Sequence, residues 1–178
     1  MKKFFYAVIM AVAAITMLNS CLGKNVYDEY KDWREANDDW FSLATASGQY
    51  TSVVAPWDPS ARVLIQWHND TMLTRGNLKP LITSTVDVKY RLRLIDDTPV
   101  DSSYNLTSPA DSIYRSVVNA NVEGWMLALT RMHVGDSCTV LIPYQQGYGS
   151  SKRSEVLRPY SNLIFDIKLV NIYKYKAN

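Results

Sequence analysis

The chain has 178 residues, of which 47% are apolar and 12% aromatic, with 7 Gly and 7 Pro; this is enough for one hydrophobic core and excludes collagen-like, mucin-like and wholly disordered chains. Lys and Arg number 19 against 17 Asp and Glu, and without Lys2 and Lys3, which lie in a segment expected to be cleaved, the balance is 17 against 17. Electrostatic capture of nucleic acid is excluded, because it needs a marked basic excess or a basic stripe.

Lys2 and Lys3 precede an apolar run over residues 4–18 and then Asn19 and Ser20, the order of charge, apolar core and small residues found in a secretory signal. The run is shorter than the roughly 20 residues that cross a bilayer. Leu18-Asn19-Ser20-Cys21 resembles a bacterial lipobox, which implies removal of residues 1–20 and lipidation of the Cys21 thiol. Such an anchor holds a protein on a membrane of the cell envelope, facing away from the cytoplasm, here expected to be the periplasmic side.

Residues 26–46 place Val26, Tyr30, Trp33, Asn37, Trp40 and Ala44 at alternating four- and three-residue spacings, which predicts an amphipathic helix. Its other faces are mainly acidic. Two uses suit the aromatic stripe: packing Trp33 and Trp40 on the chain's own domain, or forming a homodimerisation arm through residues 26–46. Ser47-Gly48 and Pro56-Trp57-Asp58-Pro59 carry turn chemistry. A domain boundary is expected there, with tether and helix over residues 21–60 and a second domain over 61–178.

Beyond that point the period changes to two. Residues 61–68 predict a strand, and Val86, Val88, Tyr90, Leu92 and Leu94 alternate with Asp87, Lys89, Arg91 and Arg93 as in a half-buried antiparallel strand. Residues 122–132 predict a short helix with Trp125, Ala128, Leu129 and Met132 on one face and Gly135 as a stop signal. Residues 138–143 and 163–172 predict two further strands. Many strands and one helix give an α+β fold, an antiparallel sheet wrapped on the helix.

The stretches Val86-Asp87-Val88-Lys89-Tyr90, Val100-Asp101-Ser102-Ser103, Val122-Glu123-Gly124-Trp125, Ile142-Pro143 with Tyr148-Gly149, and Leu163-Ile164-Phe165-Asp166-Ile167 resemble, in order and spacing, the FKBP-type peptidyl-prolyl cis-trans isomerases. The resemblance covers residues 63–173. It implies an FKBP-like fold and an enzyme that rotates X-Pro bonds in exported polypeptides, with no cofactor, metal or nucleic acid required. It further implies that Trp125 floors an apolar pocket for the proline ring and that Tyr90, Val122 and Phe165 form its walls. Asp101 and the Tyr148 hydroxyl would stand at the rim, Val156 and Leu157 on a flap, and the Val122 backbone N–H would meet a substrate carbonyl.

Two positions depart from the family pattern: Val100 stands where an aromatic residue is usual and Asn121 where an apolar one is usual, and both changes loosen or wet the expected wall. They motivate the alternative of a catalytically weak peptide-binding or chaperone module. Lys152, Arg153 and Glu155 replace an often glycine-rich apolar flap. The register between residues 109 and 118 is not legible, so Ser112, Ile113 and Tyr114 receive no role. Cys138 reads as a small buried hydrophobe, and His68 and His133 as solitary residues without ligand spacing or a partnered carboxylate.

Overall fold

The computed structural model describes residues 25–174, and the chain divides into two compact units at Lys31/Asp32. In the first, Val26–Glu29 forms a single helical turn, α1, whose Asp28 N–H donates to the Asn25 side chain at 2.9 Å. The second unit, from Asp32 on, contains the sheet and the helices described below, apart from the first residue of α2, Lys31. The helix expected over residues 26–46 therefore appears as α1 and a separate 16-residue helix α2, Lys31–Ala46.

Seven strands follow: β1 Thr51–Ala55, β2 Asp58–Trp67, β3 Thr85–Arg93, β4 Pro99–Ser102, β5 Tyr114–Val117, β6 Ser137–Ile142 and β7 Leu163–Ile172. They form one antiparallel sheet in the order β1-β2-β6-β7-β3-β4, with β5 also paired to β3. The helix between β5 and β6 is α3, Glu123–Leu129. The strands expected from two-residue alternation are present with ends shifted by a few residues.

β1, β4 and β5 are strands beyond the four that two-residue alternation predicts; β1 is the first of them. It pairs with β2 through the turn at Pro56-Trp57, so the turn signal marks a hairpin inside one sheet. The boundary expected at residue 60 falls within β2, and the compact unit begins at Asp32. Trp57, at the hairpin turn, donates its indole N–H to the Glu123 carboxylate at 3.0 Å and so ties the turn to the start of α3.

Alternation along the strands sorts side chains onto two faces. Val63 and Ile65 on β2, Val140 and Ile142 on β6, and Leu163, Phe165, Ile167 and Leu169 on β7 join the main core, together with Trp125, Leu127, Ala128 and Leu129 of α3. The helix lies so close to the sheet that a Cβ built on Gly124 would come within 2.8 Å of the Ile142 side chain. On the reverse face Leu64, Leu141 and Ile164, register partners across β2, β6 and β7, form a second cluster packed by Trp40, Phe41, Ala44 and Tyr50. Removing each of these aliphatic side chains from water contributes about 1.5–3 kcal/mol.

Polar bonds fix α2 on that face. Asn37, the polar residue within the stripe, is 0% exposed. Its carbonyl groups accept from Asn162, Oδ1 from the backbone N–H at 2.7 Å and the main-chain oxygen from Nδ2 at 2.6 Å. Trp33 donates from Nε1 to Ser161 Oγ at 3.0 Å and carries the Arg158 guanidinium 3.9 Å above its ring. Trp33 and Trp40 of the aromatic stripe are thus packed within the unit. Among the described residues no helix is long and apolar enough to cross a membrane.

Candidate active site

The site grows from the concave face, where β3, β4, β5, β7 and the start of α3 meet. Val122, extended at φ −60° and ψ 152°, is the N-cap of α3 and provides no side-chain cap. Its carbonyl accepts from the N–H groups of Trp125 and Met126 at 3.0 and 3.2 Å. First-turn N–H groups have no partner within their own helix, and no hydrogen bond from the Val122 N–H appears among the described residues. One turn into α3, Trp125 points toward the sheet.

Around Trp125 the rings meet edge to face, the geometry favoured by aromatic quadrupoles and worth about 0.5–1.5 kcal/mol per pair beyond burial. Its ring centroid lies 5.3 Å from Tyr90, 5.1 Å from Phe165 and 6.0 Å from Tyr114, at interplanar angles of 86°, 71° and 77°. The indole is only 3% exposed, yet it floors a cavity of about 430 Å³. Tyr90, Phe165 and Val122 line the walls. The indole nitrogen is buried without a hydrogen-bond partner, and native structures keep few such donors outside binding or reactive sites.

At the rim, Asp101 Oδ2 accepts the Tyr90 hydroxyl at 2.6 Å while Oδ1 accepts the Ser102 N–H at 2.7 Å. Burial first, then the bond to Asp101, push the Tyr90 phenol above its ordinary range, so Tyr90 stays neutral and Asp101 locks its ring. Tyr148 reaches the cavity from a tight turn after β6. There the Gly147 and Gly149 N–H groups both donate to the Tyr144 carbonyl, at 3.0 and 2.8 Å, and the Gly149 carbonyl accepts from Tyr160 at 2.8 Å. Gly149 sits at φ +59°, a left-handed backbone that glycine adopts at least cost.

Three expected positions fall elsewhere. Val100 is half-buried against the core and does not line the cavity. Val156 and Leu157 do not line it either. The loop closes on itself, with the Arg153 N–H donating to the Leu157 carbonyl at 3.1 Å and the Leu157 N–H to Ser154 Oγ at 2.9 Å. This turns Val156 outward, 44% exposed, and buries Leu157, 6% exposed, in the core. Cys21 lies outside the described residues.

In their place the cavity takes Leu92, Tyr114, Ala120, Asn121 and Arg153. Tyr114 was hidden by the illegible register before β5, which only the pairing of Val88 with Tyr114 settles. Asn121 does line the wall, but its Nδ2 is bound by Ser116 Oγ at 3.1 Å and by the Val117 and Val118 carbonyls at 2.8 and 3.3 Å. That amide nitrogen is anchored to the backbone, away from competing with a ligand.

Other chemistry-bearing side chains stand apart from the cavity. Burial pushes the Cys138 thiol up to about 12, which makes it inert at neutral pH. His133, expected to be solitary, has a partner: its Nδ1 lies 3.6 Å from Asp136 Oδ2, and its backbone N–H donates to the same oxygen at 2.7 Å. Sequence spacing hid this because the turn at Gly135, φ +101°, brings residue 136 back over 133. Among the described residues no group of three or more His, Cys, Asp or Glu could hold a metal ion.

The geometry agrees with what similarity to known proteins shows. The family model described as FKBP-type peptidyl-prolyl cis-trans isomerase matches residues 76–170. The peptidyl-prolyl cis-trans isomerase Mip of Coxiella burnetii is 37% identical over 95 residues, 53% of this chain and 40% of that protein. The FKBP-type 22 kDa peptidyl-prolyl cis-trans isomerase of Escherichia coli is 37% identical over 93 residues, 52% of this chain and 43% of its own length. The alignments thus span less than half the length of these two relatives. The crystal structure of FkpA from Escherichia coli superposes with a TM-score of 0.66 at 18% identity, covering 96% of this chain and 70% of that one, which shows a shared fold. Because the family model spans more than half of the chain and its motifs fall on the strands and helix that build the aromatic cavity, this protein belongs to the FKBP-type peptidyl-prolyl cis-trans isomerase family.

Proposed function

We propose that this protein catalyses cis-trans rotation about X-Pro bonds in exported polypeptides, with the proline ring seated on the Trp125 indole. The observation that carries the reading is an open cavity of about 430 Å³ floored by a nearly buried tryptophan and walled by Tyr90 and Phe165. Rotation about a peptide bond costs about 18–20 kcal/mol, because twisting sacrifices resonance between nitrogen and carbonyl. Nothing covalent has to form. Water stabilises the polarised planar amide more than the twisted one, so exchanging water for aromatic walls penalises the ground state relative to the transition state. Each 1.36 kcal/mol of that difference is a tenfold gain in rate.

The remaining groups orient. The Tyr148 hydroxyl and the Val122 N–H are donors for substrate carbonyls, and Asp101 holds Tyr90 upright through the 2.6 Å bond. None of them transfers a proton. A protease-coupled assay on an X-Pro peptide tests this, with about a 100-fold loss of kcat/KM expected for Trp125→Ala and about tenfold for Tyr148→Phe. Saturable peptide binding by the wild type without acceleration would overturn it in favour of a binding module. That alternative is not favoured by the positions of its two motivating residues, since Val100 lies outside the cavity lining and the Asn121 amide nitrogen is tied to backbone.

Location follows from the amino-terminal residues, which lie outside the described ones. Export, cleavage before Cys21 and lipidation of its thiol would hold the domain at the cell envelope. Incorporation of labelled fatty acid into the wild type, and its loss in Cys21→Ser, is the expected result; labelling unaffected by the substitution would exclude Cys21 as the anchor.

A further inference from the structure

We propose that Arg153 makes the cavity selective for prolyl segments that carry an acidic side chain next to the proline. This inference names a substrate class for the isomerase reading above and rests on it. Arg153 lines the cavity, on a loop whose cations have different fates. Lys152 is neutralised within the loop, its Nζ lying 2.7 Å from Glu155 Oε1. Arg153 makes no ion pair among the described residues. Its guanidinium sits 4.9 Å from the centroid of the Tyr148 ring, which supports one face of the group and leaves its N–H edge for a ligand.

The position is held by main-chain bonding, not by the side chain alone. The Arg153 N–H donates to the Leu157 carbonyl at 3.1 Å, and Leu157 is buried in the core. The cation is therefore presented at the mouth of the cavity beside Tyr148. The other charge lining the cavity, Asp101, already accepts from Tyr90 and Ser102, so it offers a substrate cation a partly satisfied carboxylate. A free guanidinium edge, by contrast, matches a carboxylate through two parallel N–H bonds.

An exposed pair of this kind contributes up to about 1 kcal/mol, a factor of about five, and weakens as salt screens it. The test uses the full chain and X-Pro peptides with Glu, Gln or Lys placed immediately before or immediately after proline. At low salt the Glu:Lys ratio of kcat/KM is expected to reach about three to five at one of the two positions and to approach one in molar salt. Arg153→Gln should collapse the ratio whatever its absolute rate, and Arg153→Lys should retain part of it. A ratio of one at both positions, or an equal ratio in wild type and Arg153→Gln, overturns the proposal. If no peptide is isomerised, the isomerase reading fails instead, and the same comparison made on dissociation constants by fluorescence anisotropy still decides the charge preference.

Discussion

Phe165 and Ile164 are neighbours on β7, yet they serve surfaces with opposite character. Phe165 faces the cavity with Trp125 and Tyr90, where rings leave space for a ligand. Ile164 faces the reverse side, in a seam with Leu64 and Leu141 closed by Trp40, Phe41 and Ala44 of α2. The seam is finished by buried polar bonds between Asn37 and Asn162. One sheet thus separates two tasks by the alternation of its side chains, because adjacent residues cannot share a face. The lesson is that stability and binding here should be separable by substitutions one residue apart.

Leu141→Ala gives the strongest test of that separation. Truncating a fully buried leucine should cost about 3 kcal/mol through lost transfer energy and the cavity left behind, read as a lower denaturant midpoint. Its isomerisation rate per folded molecule should stay within about twofold of wild type. A large fall in kcat with little change in stability would break the comparison. Phe165→Leu should show the reverse pattern, with kcat/KM down about tenfold and only about 1–2 kcal/mol of stability lost.

Asn37→Ala sharpens the comparison on the polar side of the seam. It removes the acceptor of the buried Asn162 N–H, and an orphaned buried donor costs about 1–3 kcal/mol. Chemical denaturation should show that loss, and Asn37→Asp should not recover it, because the change buries a carboxylate and sets its second oxygen against the Trp33 carbonyl that accepts from Asn37 Nδ2. Equal stability of Asn37→Ala and wild type would mean that packing alone seats α2.

Asp136 supplies a pH test away from both surfaces. Burial would push its carboxyl up, but the His133 N–H, Thr74 Oγ1 and Asn69 Nδ2 donate to it and, with the His133 charge, hold it below its ordinary 3.8. A carboxylate lowered on folding stabilises fully above the unfolded value and loses that contribution as pH falls below about 3.8 through the folded value. Acid unfolding should therefore steepen in that window, and Asp136→Asn should flatten it while lowering stability at pH 7. Identical acid limbs in the two proteins would assign the transition to other carboxylates. The smallest effect belongs to Tyr90→Phe, which deletes the hydroxyl bonded to Asp101 and should cost about 1 kcal/mol in stability with a few-fold loss in kcat/KM.

Much of the front face is legible in the sequence. The period of two in Val86 to Leu94 and in Leu163 to Leu169 placed β3 and β7, and the motif order singled out Trp125, Tyr90, Phe165, Asp101, Tyr148 and Val122, all of which line one cavity. The reverse face is not. Residues Leu64, Leu141 and Ile164 sit among apolar neighbours on both sides, so alternation shows no break there, and nothing near Asn37 in the chain points to Asn162 as its partner. Tyr114 stayed hidden because a four-residue strand after an irregular segment carries too little pattern to set its register. The outward turn of Val156 was equally unreadable, since it depends on which loop carbonyl the Arg153 N–H finds.

By itself the amino-acid order determined the types of the four longer strands and of α3, the alternation on β3 and β7, and the identity of Trp125, Tyr90 and Phe165 at the cavity, because side-chain period and residue chemistry are local properties. The three-dimensional packing alone decided that α2 closes the back of the sheet through Asn37, that Tyr114 and Arg153 complete the cavity, and that Leu157 is core. Those outcomes depend on contacts between residues far apart in the chain, 125 positions for Asn37 and Asn162, and no local pattern encodes which distant partner will satisfy a buried polar group.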